Sequence, residues 1–397
     1  MSDLENKKIL VDMSPLDTPS RLRGVGQYII GLTDGIRELQ AEGNLGFSID
    51  GLARYDLQGQ STGADGLDYR GSLVHPDGYK WKVYRKHKEN AIDRAAHSRG
   101  GDLLHVTEPE ALIRENRVPR ILTCYDLIPL IFHKEYLGRA PWARLRRHFK
   151  DKSYYRTGRR IIAISEATKR DLVEYLDIRE DIIDVTYLGV DHGQYQAKPK
   201  SEHERIELMQ RHELKRPFLL YLGAYDARKN VPLLVRAYAA SGLDKEFDLV
   251  LAGAIHRTTK RNLQQTIEKS GVSKTTRIIG FVDQEDVAPF YRSCHVHVFP
   301  SKYEGFGLPV AEAMACGAPT IATTASSIPE VAGDGAVLVP ASDCEALAAA
   351  LRSLAHNDAH RAELRIAGPK VAAHFQWREC AKQTVAAYRK ALLMGYK

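Results

Sequence analysis

The sequence is poor in cysteine, and its five cysteines (Cys124, Cys294, Cys316, Cys344 and Cys380) stand far apart in 397 residues. With no C-x-x-C pair and an odd total, neither a disulfide framework nor a zinc site is expected, and a reducing compartment fits. Long apolar runs are missing as well. The longest contender, Ile121 to Phe132, is broken by Asp126 and Pro129 and reads as a buried strand and turn, short of the ~18 residues a spanning helix needs. The first residues, MSDLENKKILVDMSPL, place acids before lysines and lack an apolar signal core, so a cytoplasmic setting is expected. No short repeat and no low-complexity segment interrupts the chain. There is also no D-x-D; carboxylates so spaced are one way to hold a divalent ion on a diphosphate, and we expect no metal requirement and no bound cofactor.

What is present is ordinary for a globular protein: 44% hydrophobic, 27% charged. The length suits two domains at ~100–200 residues each. Strand-like and helix-like segments alternate throughout, which predicts an α/β class with mainly parallel sheets. Strands are expected at Lys8–Asp12, Leu103–Val106, Arg120–Tyr125 and Arg160–Ile164, then at Phe218–Leu222, Leu249–Ala252, Arg277–Ile279, His295–Phe299, Thr320–Ala322 and Ala336–Val339. Between the two series lies the polar stretch AKPKSEHERIELMQRHELKRP, a linker plus surface helix. Domains are therefore expected at 1–195 and 217–375, with a linker over 196–216. The formal net charge of +7 is not a domain asymmetry.

The most informative stretch is SKYEGFGLPVAEAMACGAP, residues 301–319, with Glu304 and Glu312 eight positions apart. Glu304 opens a glycine-bounded turn, Gly305-Phe306-Gly307. Pro309 suits the first turn of a helix, and Gly317 suits its stop. This predicts a short helix from about Pro309 to Cys316, with Glu304 in the loop before it and Glu312 on its first turn. Unpaired N–H groups at such a helix start favour an anion such as a nucleotide phosphate. Two carboxylates beside an anion site make sense if both hold hydroxyls of one polyhydroxylated ligand, and a sugar nucleotide is the candidate.

This stretch resembles the E-x7-E signature of the retaining glycosyltransferases of the GT-B fold, the large family 4 group. The resemblance implies two Rossmann-like domains with an interdomain cleft, and a final helix, here 376–397, that crosses back to the first domain. It implies that Glu304 and the Gly305, Phe306, Gly307 and Leu308 backbone hold the donor sugar, and that Glu312 holds the ribose. The second domain opens on LYLGAYDARKN, where Gly223 ends a strand and Arg228 and Lys229 follow in a polar turn. A guanidinium and an ammonium at a strand end suit a diphosphate, and the turn resembles the family's diphosphate-binding turn, with Ala224 where many members have Arg. RGVGQYIIGL supplies Gly24 and Gly26 ahead of an amphipathic helix carrying Ile29, Leu32, Ile36 and Leu39; it matches the family's first glycine loop. ILTCYDLIPL has Tyr125-Asp126 where the family commonly has His-Asp. Tyr125 can reach sugar or acceptor through its hydroxyl, and Asp126 can hold the donor, orient the acceptor or cap the following turn. Ser165 in AISEAT is a donor contact by resemblance or an N-cap. Phe281 and Val282 resemble the segment that meets the nucleotide base. His295 and His297 share a strand face without an evident third metal ligand.

The run Gly138 to Arg160 holds nine Lys/Arg and one acid, Asp151, with Trp142, Leu145, Phe149, Tyr154 and Tyr155 interleaved. Arg144, Arg146, Arg147 and Lys150 with Trp142 read as a contact for an anionic membrane surface; a solvated helix is the open alternative, and nucleic acid is not expected as a partner. The resemblance implies a hexosyltransferase using a nucleotide-diphospho-sugar, with front-side attack and the leaving phosphate as base. GDP-mannose is the preferred donor because the Ala-Arg-Lys-Asn turn and the Asp-Leu-Ile-Pro-Leu string look like mannosyltransferases of surface polysaccharide and lipopolysaccharide synthesis. The acceptor would be a glycan or a lipid-linked saccharide. A UDP-sugar donor, a phosphorylase or epimerase on the same fold, and a catalytically silent membrane-associated binding protein are the alternatives.

Overall fold

A computed structural model describes residues 4–22, 24–43, 45–52, 92–108, 116–138, 140–197 and 202–394. The stretch 53–91 lies outside the described residues. The chain forms two compact units, Met1–Gly189 with Trp377–Lys397, and Val190–Gln376. The polar stretch expected as a linker carries the helix Glu202–Arg211 and belongs to the second unit.

The first unit holds six strands, β1 (Lys8–Asp12), β2 (Ser48–Leu52), β3 (Leu103–Val106), β4 (Arg120–Cys124), β5 (Arg160–Ala163) and β6 (Ile183–Val185). They form one sheet of order β2-β1-β3-β4-β5-β6, and every pair is parallel. β3, β4 and β5 are buried along their whole length, as expected where helices cover both faces of a parallel sheet. Each fully buried aliphatic side chain there contributes roughly 1.5–3 kcal/mol. Strand order reverses beside β1, between β2 and β3.

The helix Gly24–Glu42 covers this sheet with Tyr28, Ile29, Leu32 and Ile36 buried. Against it lies the helix Trp377–Leu393. A Cβ on Gly31 would fall 2.1 Å from Trp377 Cδ2, and one on Gly35 would fall 2.6 Å from the Trp377 carbonyl. The two glycines, one helical turn apart, open the groove that takes the indole.

The second unit repeats the plan with β7 (Phe218–Leu222), β8 (Asp248–Ala252), β9 (Thr276–Gly280), β10 (Val296–Phe299), β11 (Thr320–Thr323) and β12 (Val337–Val339). Its sheet order is β12-β11-β10-β7-β8-β9, again parallel throughout. β7 leads outward through β8 and β9 on one side, and β10 through β11 and β12 on the other. The crevice beyond the carboxyl ends of β7 and β10 is thus a topological switch point, where ligands of open α/β sheets bind.

Candidate active site

Both segments that leave this switch point carry charge. After β7 the chain runs through Gly223 to a short 3-10 turn, Ala227–Lys229. After β10 it runs through Ser301 to Glu304. The two are tied by the Lys302 N–H, which donates to the Arg228 carbonyl at 2.7 Å. Arg228 Nη1 lies 2.6 Å from Glu304 Oε2, and Lys229 Nζ lies 2.8 Å from Glu304 Oε1. Arg228 also donates to the Tyr303 carbonyl at 3.1 Å, and Lys229 stands 4.8 Å over the Phe299 ring. Burial pushes the Glu304 carboxyl up, but Lys229 and Arg228 outweigh it and hold the group below the usual carboxylate range. The arrangement is a buried carboxylate shared by two cations at a strand-end crevice.

The loop around Glu304 is pinned by hydroxyls that the sequence reading did not single out. The Glu304 N–H donates to Ser326 Oγ at 2.7 Å, and Ser326 Oγ donates back to the Glu304 carbonyl. Ser327 Oγ reaches the Glu304 carbonyl at 2.9 Å and the Phe306 carbonyl at 2.8 Å. Thr323 Oγ1 donates to the Ser301 carbonyl at 2.6 Å. The Phe306 ring turns into the core, edge-on to Phe375 at 5.4 Å. Gly307, at φ +110°, precedes the helix Leu308–Ala315, a left-handed position that favours glycine. Glu312 is the fifth residue of that helix, so it lies on the second turn and not on the first. Burial lifts its carboxyl to about 7; the Tyr291 hydroxyl opposes the rise and Asp191 adds to it.

Gly253 closes the floor between neighbouring strand ends: at φ +129°, a Cβ there would meet the Gly223 carbonyl oxygen at 2.0 Å. Beyond β9, Phe281 is 71% exposed while Val282 is buried, so of the two residues expected at a nucleotide base only Phe281 presents its side chain. His297 is buried, and burial pushes its imidazole down to about 3; His295 Nε2 meets the Ala355 carbonyl at 2.9 Å. Among the described residues no group of three or more His, Cys, Asp or Glu could hold a metal ion.

The remaining expected residues belong to the first unit. A Cβ on Gly26 would lie 2.1 Å from the Arg21 carbonyl oxygen, so the chain itself uses that close approach, whereas Gly24 has open space. The Tyr125 hydroxyl is buried with no hydrogen-bond partner, its ring edge-on to Tyr28 at 5.5 Å. Asp126 Oδ1 accepts from the Ile128 N–H at 2.9 Å and so caps the following turn. Ser165 caps the helix Glu166–Leu176 by accepting from the Thr168 N–H. Asp12, which ends β1, was not foreseen. It is fully buried; Oδ1 accepts from Ser14, and Oδ2 has no partner. A strand ending in a carboxylate, KILVD, was the available signal.

The helix Pro141–Tyr155 within the basic run exposes Trp142, Leu145 and Phe149 at 65, 57 and 61%. Spacings of three and four place these on one face. Tyr154 and Tyr155 are instead core residues, and Arg147 pairs with Asp151 at 2.5 Å. No helix of the described residues is long and apolar enough to cross a membrane.

Comparison with known proteins gives the chain's family and fold. Residues 204–371 match the family described as glycosyl transferases group 1, and residues 58–194 match glycosyltransferase family 4. The chain is 26% identical over 412 residues to the serotype-specific mannosyltransferase WbdA of Escherichia coli, across 97% of this chain and 48% of that protein. It thus spans about half of that relative's length. It is 28% identical to the O-antigen chain mannosyltransferase B of Escherichia coli, across 69% of this chain and 71% of the relative. Among solved structures, the sucrose-phosphate synthase of Thermosynechococcus elongatus superposes with a TM-score of 0.74 at 19% identity, covering 98% of this chain and all of that one. Anabaena Alr3699/HepE, solved in complex with UDP-glucose, superposes with a TM-score of 0.71 at 18% identity, covering 97% of this chain and 99% of its own.

Proposed function

Because the chain belongs to the glycosyltransferases of group 1 and family 4, with their GT-B fold, we propose that it is a retaining hexosyltransferase that moves α-mannose from GDP-mannose onto a glycan or lipid-linked saccharide. One observation carries the reading: Arg228, Lys229 and Glu304 converge where strand order reverses between β7 and β10. Mannosyltransferase relatives support the sugar.

On this reading the donor diphosphate competes with the Glu304 carboxylate for Arg228 and Lys229. Glu304 then takes a sugar hydroxyl in exchange, and Glu312 takes the ribose. The acceptor oxygen bonds to C1 as the bond from C1 to the β-phosphate oxygen breaks. The electron pair leaves with the diphosphate, which receives the acceptor proton. Arg228 and Lys229 meet that developing charge in a buried site, where one preorganised donor is worth about 10²–10³ in rate. The buried, half-partnered Asp12 carboxylate at the end of β1 supports a role for the first unit in holding acceptor hydroxyls.

The decisive test is melting of the purified chain with GDP, UDP and ADP, with and without magnesium, followed by turnover of GDP-mannose. We expect stabilisation by GDP that is indifferent to magnesium, and loss of turnover in Glu304→Ala with the fold retained. A shift with UDP alone removes mannose from the reading; unimpaired turnover in Glu304→Ala removes the mechanism.

The exposed Trp142, Leu145 and Phe149, with Arg144 and Arg146 beside them, support peripheral docking of the enzyme on the inner, anionic face of a membrane. Charge reversal at Arg144 and Arg146 should weaken sedimentation with phosphatidylglycerol vesicles, and unchanged sedimentation sinks that part of the reading.

A further inference from the structure

A cavity lies at the opposite end of the second unit's sheet from Glu304. It has a volume of about 370 Å³ and is lined by residues at the starts of β7 and β10, at the end of the helix Leu308–Ala315, and along the helix Glu202–Arg211. It therefore opens at the amino ends of the strands, whereas Glu304 and the Arg228–Lys229 turn follow their carboxyl ends. Its size falls within the range of small-molecule sites, about 300–1,000 Å³.

Charge in the cavity wall is unbalanced in one direction. Glu202 is paired with Arg205. Glu204 takes Arg292 in a fork, with Nε and Nη2 both at 2.8 Å. That leaves Arg365. Its Nη1 donates to the Gly317 carbonyl at 3.1 Å, and no carboxylate of the described residues forms an ion pair with it. Burial pushes its guanidinium below the usual range. Arg292 is committed to Glu204 and contributes no free donor to the cavity. A half-buried guanidinium with no counter-ion is costly unless an anion supplies one. Arg365 is the guanidinium on this cavity not committed to a carboxylate, and such a fork matches the geometry of a phosphate.

We propose that this cavity binds the phosphate group of a small anion through Arg365, at a site separate from the sugar-nucleotide site. Inorganic phosphate and a hexose phosphate share the required chemistry, and the volume admits either.

The test is thermal melting of the full chain with inorganic phosphate and with a hexose 6-phosphate, against chloride at matched ionic strength. The expected result is a saturable rise in Tm with phosphate for the wild type and for Arg228→Ala, and none for Arg365→Gln, whose amide can still donate to the Gly317 carbonyl. A larger rise with the hexose phosphate assigns the sugar phosphate as occupant, and an equal rise assigns phosphate itself. A rise that survives Arg365→Gln, or that vanishes in Arg228→Ala, overturns the proposal, as does no rise up to about 20 mM phosphate. If Arg365→Gln does not fold, Ser293→Trp fills the cavity from its wall and carries the same expectation.

Discussion

Glu304 and Glu312 stand eight positions apart, and their surroundings push their carboxyls in opposite directions. Glu304 is held down by Lys229 and Arg228 against its burial. Glu312 has no such cations and rises to about 7. Native Glu312 thus keeps its proton at pH values where the unfolded chain has lost it, so its contribution to stability falls as pH rises from the ordinary 4.5 to about 7 and then levels off. Glu312→Gln removes this loss, and its Tm advantage over the wild type should grow between about pH 5 and pH 8. Nucleotide affinity should run the other way, because a carboxylate accepts from both ribose hydroxyls and a carboxylic acid does not. GDP titrations across the same range should tighten with pH more steeply for the wild type than for Glu312→Gln, which keeps only the slope of the GDP phosphate's own ionisation; equal slopes would exclude Glu312 from the nucleotide contact. Both glutamates and the Arg228–Lys229 pair were legible in the sequence, because Glu304 adjoins Gly305, Glu312 follows Pro309 within a helical turn, and Arg228–Lys229 follow the strand-ending Gly223. Ser326, Ser327 and Asp12 were not. A serine becomes a clamp only through the partner that folding brings to it, and the partners of Ser327 lie 21 and 23 residues back along the chain.

At the scale of elements, the loop from Ser301 to Gly307 works as one piece because its carbonyls are answered from the segment after β11. Ser327 is fully buried and serves two carbonyls, those of Glu304 and Phe306. Ser327→Ala removes the hydroxyl from the Phe306 carbonyl, while the Glu304 carbonyl keeps Ser326 Oγ; the loss, about 0.5–1.5 kcal/mol, should lower the urea midpoint accordingly. If the clamp positions Glu304, kcat/KM for the sugar nucleotide falls in the same variant even under conditions where it is fully folded. A shifted midpoint with unchanged kinetics would leave the clamp a role in stability alone. The elements themselves were largely legible: the interior strands are short runs of branched apolar residues buried on both faces, and their expected bounds lie within a residue or so of those observed. β2 and β6 were missed for a common reason. Both are edge strands, and SIDGL and IDV carry polar residues or glycine where an edge tolerates them. The basic run was legible as a helix, but the division of its aromatics between the exposed face and the core depends on packing that sequence spacing alone did not resolve.

At the scale of the whole molecule, the first unit is built from both ends of the chain, while the second is a single continuous stretch. The two should therefore respond differently to loss of the C-terminal helix. Removing residues 377–397 empties the groove at Gly31 and Gly35. It also takes Tyr388 from His105 Nδ1, to which its hydroxyl stands at 2.7 Å, leaving a fully buried imidazole with a single partner, Thr123. An apolar helix face and a buried polar network are lost together, and no other described element of the first unit fills that groove. The expected result is loss of hydrogen-exchange protection across β1, β3, β4 and β5, with β7, β8 and β10 still protected. Residues 190–376 expressed alone should melt cooperatively. A milder perturbation separates packing from truncation: Gly31→Ala drives a methyl to within 2.1 Å of the indole and should cost about 1–3 kcal/mol as overpacking, seen as faster exchange in β1 and β3 only. Full protection of the first-unit strands in the truncated chain would mean that its core closes without the last helix, and the sequence-distant ends of this chain would then be joined for some purpose other than stability.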